Sequence, residues 1–156
     1  MLKHFTATGY IVSKVNNEYQ VLLHKHKKLN IWIGIGGHVE ENENPVETVL
    51  REIREETNLT VKLLKKDGKL VKTADVTQLP TPEAIIEERI PKYKDVPAHF
   101  HIDHIYFAFC KNPKEIKMSE NYGWFSYDDL RKSNLEKEVE VFGTLAIDKM
   151  RHIMIF

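Results

Sequence analysis

The sequence predicts a mixed α/β chain, on three observations. Segments of alternating apolar and polar residues, rich in β-branched and aromatic types, recur along the chain as strands. A capped amphipathic helix is predicted over residues 45–57, and a second helix over 136–150. The 156 residues are expected to form one domain, since no repeat, low-complexity segment or linker interrupts them and that length can bury a core.

The elements follow in order. Residues 4–14 and 19–26 read as strands joined through Val15-Asn16-Asn17-Glu18, where paired asparagines mark a hairpin turn. A basic patch, His24 to Lys28, precedes the aromatic and glycine-rich stretch IWIGIGGHVEENENP. The first helix begins cleanly: Asn44 is a good N-cap, Pro45 takes the first helical position, and Glu47 adds first-turn negative charge. Val46, Val49, Leu50, Ile53 and Thr57 form its expected inner face, and Asn58 suits a left-handed C-terminal residue. Strands are expected over 59–66 and 69–76 around Asp67-Gly68, with a short one at Ala84–Arg89 in a proline-rich stretch. His99–Cys110 is the clearest strand of the chain. A short strand at Tyr122–Ser126 leads to one helical turn over Tyr127–Arg131. The final helix should turn Val139, Phe142, Leu145 and Ala146 inward.

Composition narrows the function classes. Lys+Arg and Asp+Glu both number 23, which argues against a protein that wraps a large nucleic acid. A small phosphorylated substrate remains open, because a metal ion can neutralise its charge locally. The lone cysteine, Cys110, lies in an apolar strand and reads as a small buried hydrophobe. It excludes an internal disulfide and suits a reducing cytoplasm, where the chain is expected to reside. No segment has the apolar length of a signal or a membrane span.

The chemistry concentrates in GHVEENENPVETVLREIREETNL, Gly37 to Leu59. Glu52, Glu55 and Glu56 stand at i, i+3 and i+4, so their carboxylates share one helix face. Like charges that close repel, and a hard divalent cation with oxygen ligands, Mg²⁺ or Mn²⁺, reverses the sign. Gly36 and Gly37 let the backbone approach a metal or phosphate with no side chain in the way. The competing reading is a solvated, charge-rich helix with Arg51 and Glu55 paired at i, i+4.

This segment resembles the Nudix box, G-x5-E-x7-R-E-U-x-E-E-x-G-U with U apolar. Gly37, Glu43, Arg51, Glu52, Glu55 and Glu56 match its fixed positions, and only Asn58 departs, in place of a glycine. The resemblance extends to Trp32 ahead of the glycines and to WFSYDDL at 124–130; Ile35 stands where many relatives have proline. It implies the Nudix fold, a mixed sheet sandwiched between helices, and a metal-dependent hydrolase. Such an enzyme cleaves the pyrophosphate bond of a small nucleoside diphosphate joined to another group. It further implies that Glu52, Glu55 and Glu56 bind metal, that the Gly36 carbonyl adds a ligand, and that Arg51 and Glu43 hold the box together. A catalytically weak nucleotide-binding sensor on the same fold is the alternative. A diphosphate isomerase ranks below both, and paired subunits would be an ordinary assembly.

Outside the box, a general base or extra ligand is expected from Glu120, then Glu88, then Glu87, though each also reads as a surface carboxylate. In AHFHIDHIYFAF, alternation puts His99, His101 and Asp103 on one strand face. A similar H-x-H-x-D strand occurs in one branch of the Nudix proteins. Those groups either aim at metal or substrate, or form a partly exposed sheet face with satisfied histidines. The basic patch could meet phosphates or serve as a solubilising loop, and Trp32, Tyr93 and Phe100 could stack on a base or simply pack. The region Asp75–Pro82 carries no marker of a particular substrate.

Overall fold

The computed structural model describes residues 1–117 and 119–153, and its centre is one mixed sheet built around two long strands. Strand β1 (Lys3–Val15) runs parallel to the strand His99–Cys110, which is β7, in unbroken register from Lys3 opposite Phe100 to Val12 opposite Phe109. The second half of β1 forms the expected hairpin with β2 (Glu18–Lys25), and Asn16 and Asn17 both take positive φ at its turn. The first half of β1 pairs instead with β4 (Ile35–His38), antiparallel, Thr8 opposite Gly36. Short β3 (Trp32–Ile33) and β8 (Tyr122–Phe125) extend the β2 side. Strands β5 (Val61–Leu63) and β6 (Ala84–Ile90) pair with opposite ends of β7.

Helices cover both faces. Helix α1 (Pro45–Thr57) lays Val49 and Ile53 on Ala7, Ile11, Leu22, Ile35 and Tyr106. Helix α2 (Tyr127–Lys132) contributes Leu130 to the opposite face, and α3 (Lys137–Ile153) adds Val139, Ala146, Ile147 and Met150 over Tyr10, Val12, Leu23 and Phe107. This is the sandwiched mixed sheet that the resemblance implied. Cys110 is 1% exposed inside the α1-side core, as a small hydrophobe. No helix among the described residues is long and apolar enough to cross a membrane.

The helix α1 caps match expectation: Asn44 accepts from the Glu47 amide, Glu47 accepts from the Asn44 amide, and Asn58 is left-handed at φ 62°. Three expectations need correction. Residues 69–76 do not form a strand; they hold only a bridge between Lys72 and Thr77, with Val71 and Val76 exposed. Asp67 does not turn a hairpin, because its carboxylate accepts from the Thr81 amide and hydroxyl instead. Leu50 and Leu145 are not inner-face residues. In α1 the buried stripe rotates toward Thr48, whose hydroxyl bonds Glu43 and the Asn44 carbonyl. In α3 it runs through Gly143 and Ile147, where a glycine lets the helix approach Leu130 closely.

Candidate active site

The site begins with a helix that must hold its acidic face together. Arg51 does this by hydrogen-bonding three carboxylates at once, with a fourth, Glu40, 3.6 Å from its Nη2. Its Nε and Nη2 donate to the two oxygens of Glu43 at 2.6 and 2.9 Å, and its Nη1 donates to Glu52 at 2.9 Å and Glu55 at 3.2 Å. A fork of this kind is the geometry that favours arginine over lysine. The Arg51 hydrogen bonds hold the Glu43 carboxyl down at about 2, and the carboxylates in turn raise the guanidinium above its ordinary value. Nη2 also reaches the His38 carbonyl at 3.4 Å, tying α1 to the end of β4. The Arg51–Glu55 pair of the competing reading therefore exists, as one arm of a larger clamp.

Glu52 and Glu56 lie behind that clamp. A Cβ placed on Gly37 would sit 2.5 Å from Glu52 Oε1, so glycine here makes room for the carboxylate. Glu56 is partly buried, and its Oε2 has no hydrogen-bond partner among the described residues. Burial first, then the Glu52 carboxylate beside it and Glu55 further off, pushes the Glu56 carboxyl up to about 8. A buried orphan oxygen, adjoining carboxylates and a glycine cradle together fit a divalent cation with oxygen ligands.

That shift predicts a pH dependence. Without divalent cations the folded state holds a proton on Glu56 that the unfolded chain releases near the ordinary carboxylate value. The contribution to stability is whole below about 4.5 and lost as pH rises through about 8. His101, lowered to about 4, has the opposite slope, but only up to its ordinary value of 6.5. Urea midpoints in chelator should therefore fall between pH 6.5 and 8, and the fall should vanish in Glu56→Gln. An equal fall in both proteins would rule the carboxyl out as its source.

On the α3 side of the sheet, next to these glycines, opens a cleft of about 300 Å³. Gly36, Gly37 and His38 form one wall, Ile86, Glu88 and Ile90 of β6 another, and His101 and Asp103 part of the floor. Asp103 is nearly buried and accepts from the hydroxyls of Thr6 at 2.9 Å and Thr8 at 2.8 Å. Burial raises its carboxyl despite those bonds, and burial with Asp103 and Glu138 nearby raises that of Glu88.

The expected residues divide accordingly. Glu43, Arg51, Glu52, Glu55 and Glu56 are brought together, with Gly37 against Glu52 and Gly36 beside it in β4. Glu88 lines the cleft. Glu87 points to the other side of β6 and pairs with Lys3 at 3.0 Å, while Glu120 is an exposed turn residue outside that lining. Trp32 packs edge-on against Phe125, and Lys3 stands over Phe100. Within the basic patch, only His26 lines the cleft; His24 stacks on Tyr122. Sequence reading missed Thr6 and Thr8, and it missed His4 and His38, which join His99 and His101. The signal lies in register alone: His4 stands opposite His101, and Thr6 opposite both Asp103 and His38.

Comparison with known proteins identifies the family and the fold. The NUDIX domain family model matches residues 4–143. A NUDIX-family hydrolase from Clostridium perfringens is 28% identical, with 96% of this chain and 99% of that chain covered and a TM-score of 0.73. The Ap4A hydrolase of C. elegans is 16% identical, covering 99% of each chain at a TM-score of 0.59. The NUDIX domain of Shewanella oneidensis NrtR, solved with ADP ribose, is 17% identical, covering 99% of this chain and 90% of that one at 0.53. With residues 4–143 matched by the family model, this chain belongs to the Nudix family.

Proposed function

We propose that this protein is a Mg²⁺- or Mn²⁺-dependent hydrolase that cleaves the pyrophosphate bond of a nucleoside diphosphate joined to another group. The observation that carries the reading is Glu56: a partly buried carboxylate with an unpartnered oxygen, beside the Glu52 carboxylate for which Gly37 makes room. Glu52, Glu55 and Glu56 would hold the cation, with the Gly36 carbonyl as a further ligand. When bound, the cation neutralises and polarises the phosphate oxygens. The chain's own work is positioning. Arg51 and Glu43 keep the carboxylates in place, and the backbone of Gly36 and Gly37, which lines the cleft, faces the diphosphate. The isoleucines Ile31, Ile33, Ile86 and Ile90 offer an apolar wall to the remainder of the substrate. Glu88 is the carboxylate outside the box best placed to take a proton from water, because it faces the cleft and its raised value suits a general base.

The test is a product-resolved screen of NDP-sugars, dinucleoside polyphosphates and (d)NTPs with Mg²⁺ or Mn²⁺. Release of a nucleoside monophosphate from at least one class is expected; no cleavage across the panel would defeat the reading. The cation should also raise the melting temperature, since binding only the folded state adds about 2.7 kcal/mol at a hundredfold excess over Kd. The rise should shrink in Glu52→Gln/Glu56→Gln, and equal shifts would place the cation elsewhere. The NUDIX domain solved with ADP ribose keeps a sensor role in view. Tight nucleotide binding by calorimetry with no product formed would favour that second reading.

A further inference from the structure

His4, His38, His99 and His101 gather beside the cleft, which His38 and His101 line, and each offers a ring nitrogen within 4.8 Å of the others. They come from three strands: β1 supplies His4, the end of β4 supplies His38, and the start of β7 supplies the other two. None is a fixed position of the Nudix box, and only His38 lies within it, directly after Gly37. Two details of the cluster go beyond proximity. His99 Nδ1 lies 3.0 Å from the Pro97 carbonyl, which places the proton on Nδ1 and leaves Nε2 as the acceptor, the form in which an imidazole can bind a metal. Ligating histidines are oriented by a bond of this kind at the other ring nitrogen. His99 Nε2 faces His101 Nε2 at 3.1 Å. Two nitrogens held about 2.0–2.1 Å from a tetrahedral zinc ion stand about 3.3 Å apart, so this pair is already at ligand spacing. In addition, His4 Nδ1 is buried with no hydrogen-bond partner among the described residues, a condition native structures seldom tolerate.

We propose that these four histidines form a second metal site, separate from the carboxylate site, that holds a zinc-class divalent cation. The donor set decides the ion. Four imidazoles suit Zn²⁺ and its neighbours, whereas Mg²⁺ and Mn²⁺ prefer oxygen. Four protein ligands close the coordination sphere, so the ion ties strands together and leaves no open position for water. The tie joins β1, β4 and β7 where they frame the cleft, and it fixes His38, the residue after Gly37.

Metal content tests this independently of any hydrolase activity. The full chain is stripped with chelator, given Zn²⁺ in the presence of excess Mg²⁺ to fill oxygen-donor sites, desalted, and analysed for metal. One zinc per chain is expected, and Co²⁺ should give the visible absorption of a four-coordinate nitrogen site. Both signals should disappear in His99→Ala/His101→Ala and persist in Glu52→Gln/Glu56→Gln. Because His99 is buried, His38→Ala at an exposed position is the second variant. It should weaken zinc binding at least about tenfold with an unchanged circular dichroism spectrum. Absence of stoichiometric zinc in the wild type, zinc affinity undiminished in His38→Ala, or zinc lost from the carboxylate variant would each overturn the proposal.

Discussion

Replacing Glu56 by glutamine is expected to lower kcat about 10²- to 10⁴-fold, because it removes a ligand of a cation whose charge stabilisation is worth several kcal/mol. The substitution keeps the volume and removes the charge. It leaves the Arg51 clamp on Glu43, Glu52 and Glu55 untouched, since Glu56 takes no part in it. The fold should therefore survive. In chelator the variant should be at least as stable as the parent above pH 6.5, because an amide relieves the crowding that pushes the acid up to about 8. Loss of turnover with stability kept or gained separates a residue that works from one that merely packs. Steady-state kinetics beside urea melts reads both quantities. Full activity in Glu56→Gln would withdraw the residue from the metal site, and full activity in Glu52→Gln as well would withdraw the site.

How much of this could be read from the chain depends on how local each cause is. Helix α1 was legible to the residue, because Asn44, Pro45, Glu47 and Asn58 act through bonds within one turn of their own positions. The carboxylate face was legible for the same reason: helical winding alone brings Glu52, Glu55 and Glu56 together. The strand over 69–76 failed because alternation is only half of what a strand needs. Val71 and Val76 find no sheet edge to pair with and no face to bury against. Strand β4 was hidden by its own composition, since Gly36-Gly37 reads as loop and becomes strand only by pairing with β1. The histidine cluster lies furthest from the sequence. The alternation of His99, His101 and Asp103 gave one face, but His4 arrives through parallel pairing across some hundred residues, and His38 through a second register. Nothing local forecasts either.

The paired glycines should fail in two different ways. A Cβ on Gly36 would press into the backbone of β1, overlapping the Ala7 carbonyl and lying 2.8 Å from the Thr8 Cα. Backbone within a sheet cannot swing aside, so β4 must move away from β1 or unpair. Overpacking of this kind costs about 3 kcal/mol at its upper end. At about 2–4 °C per kcal/mol for a chain of this size, Gly36→Ala should melt about 6–12 °C lower. The Cβ of Gly37 instead meets only the end of the Glu52 side chain. That carboxylate can rotate, so Gly37→Ala should melt near the parent temperature while divalent-cation affinity falls about 10- to 100-fold. Adjacent substitutions of one methyl group would thus divide stability from metal binding. If Gly37→Ala proved the unstable one while binding the cation as well as the parent, the cradle around Glu52 would be a packing feature and not a part of the site.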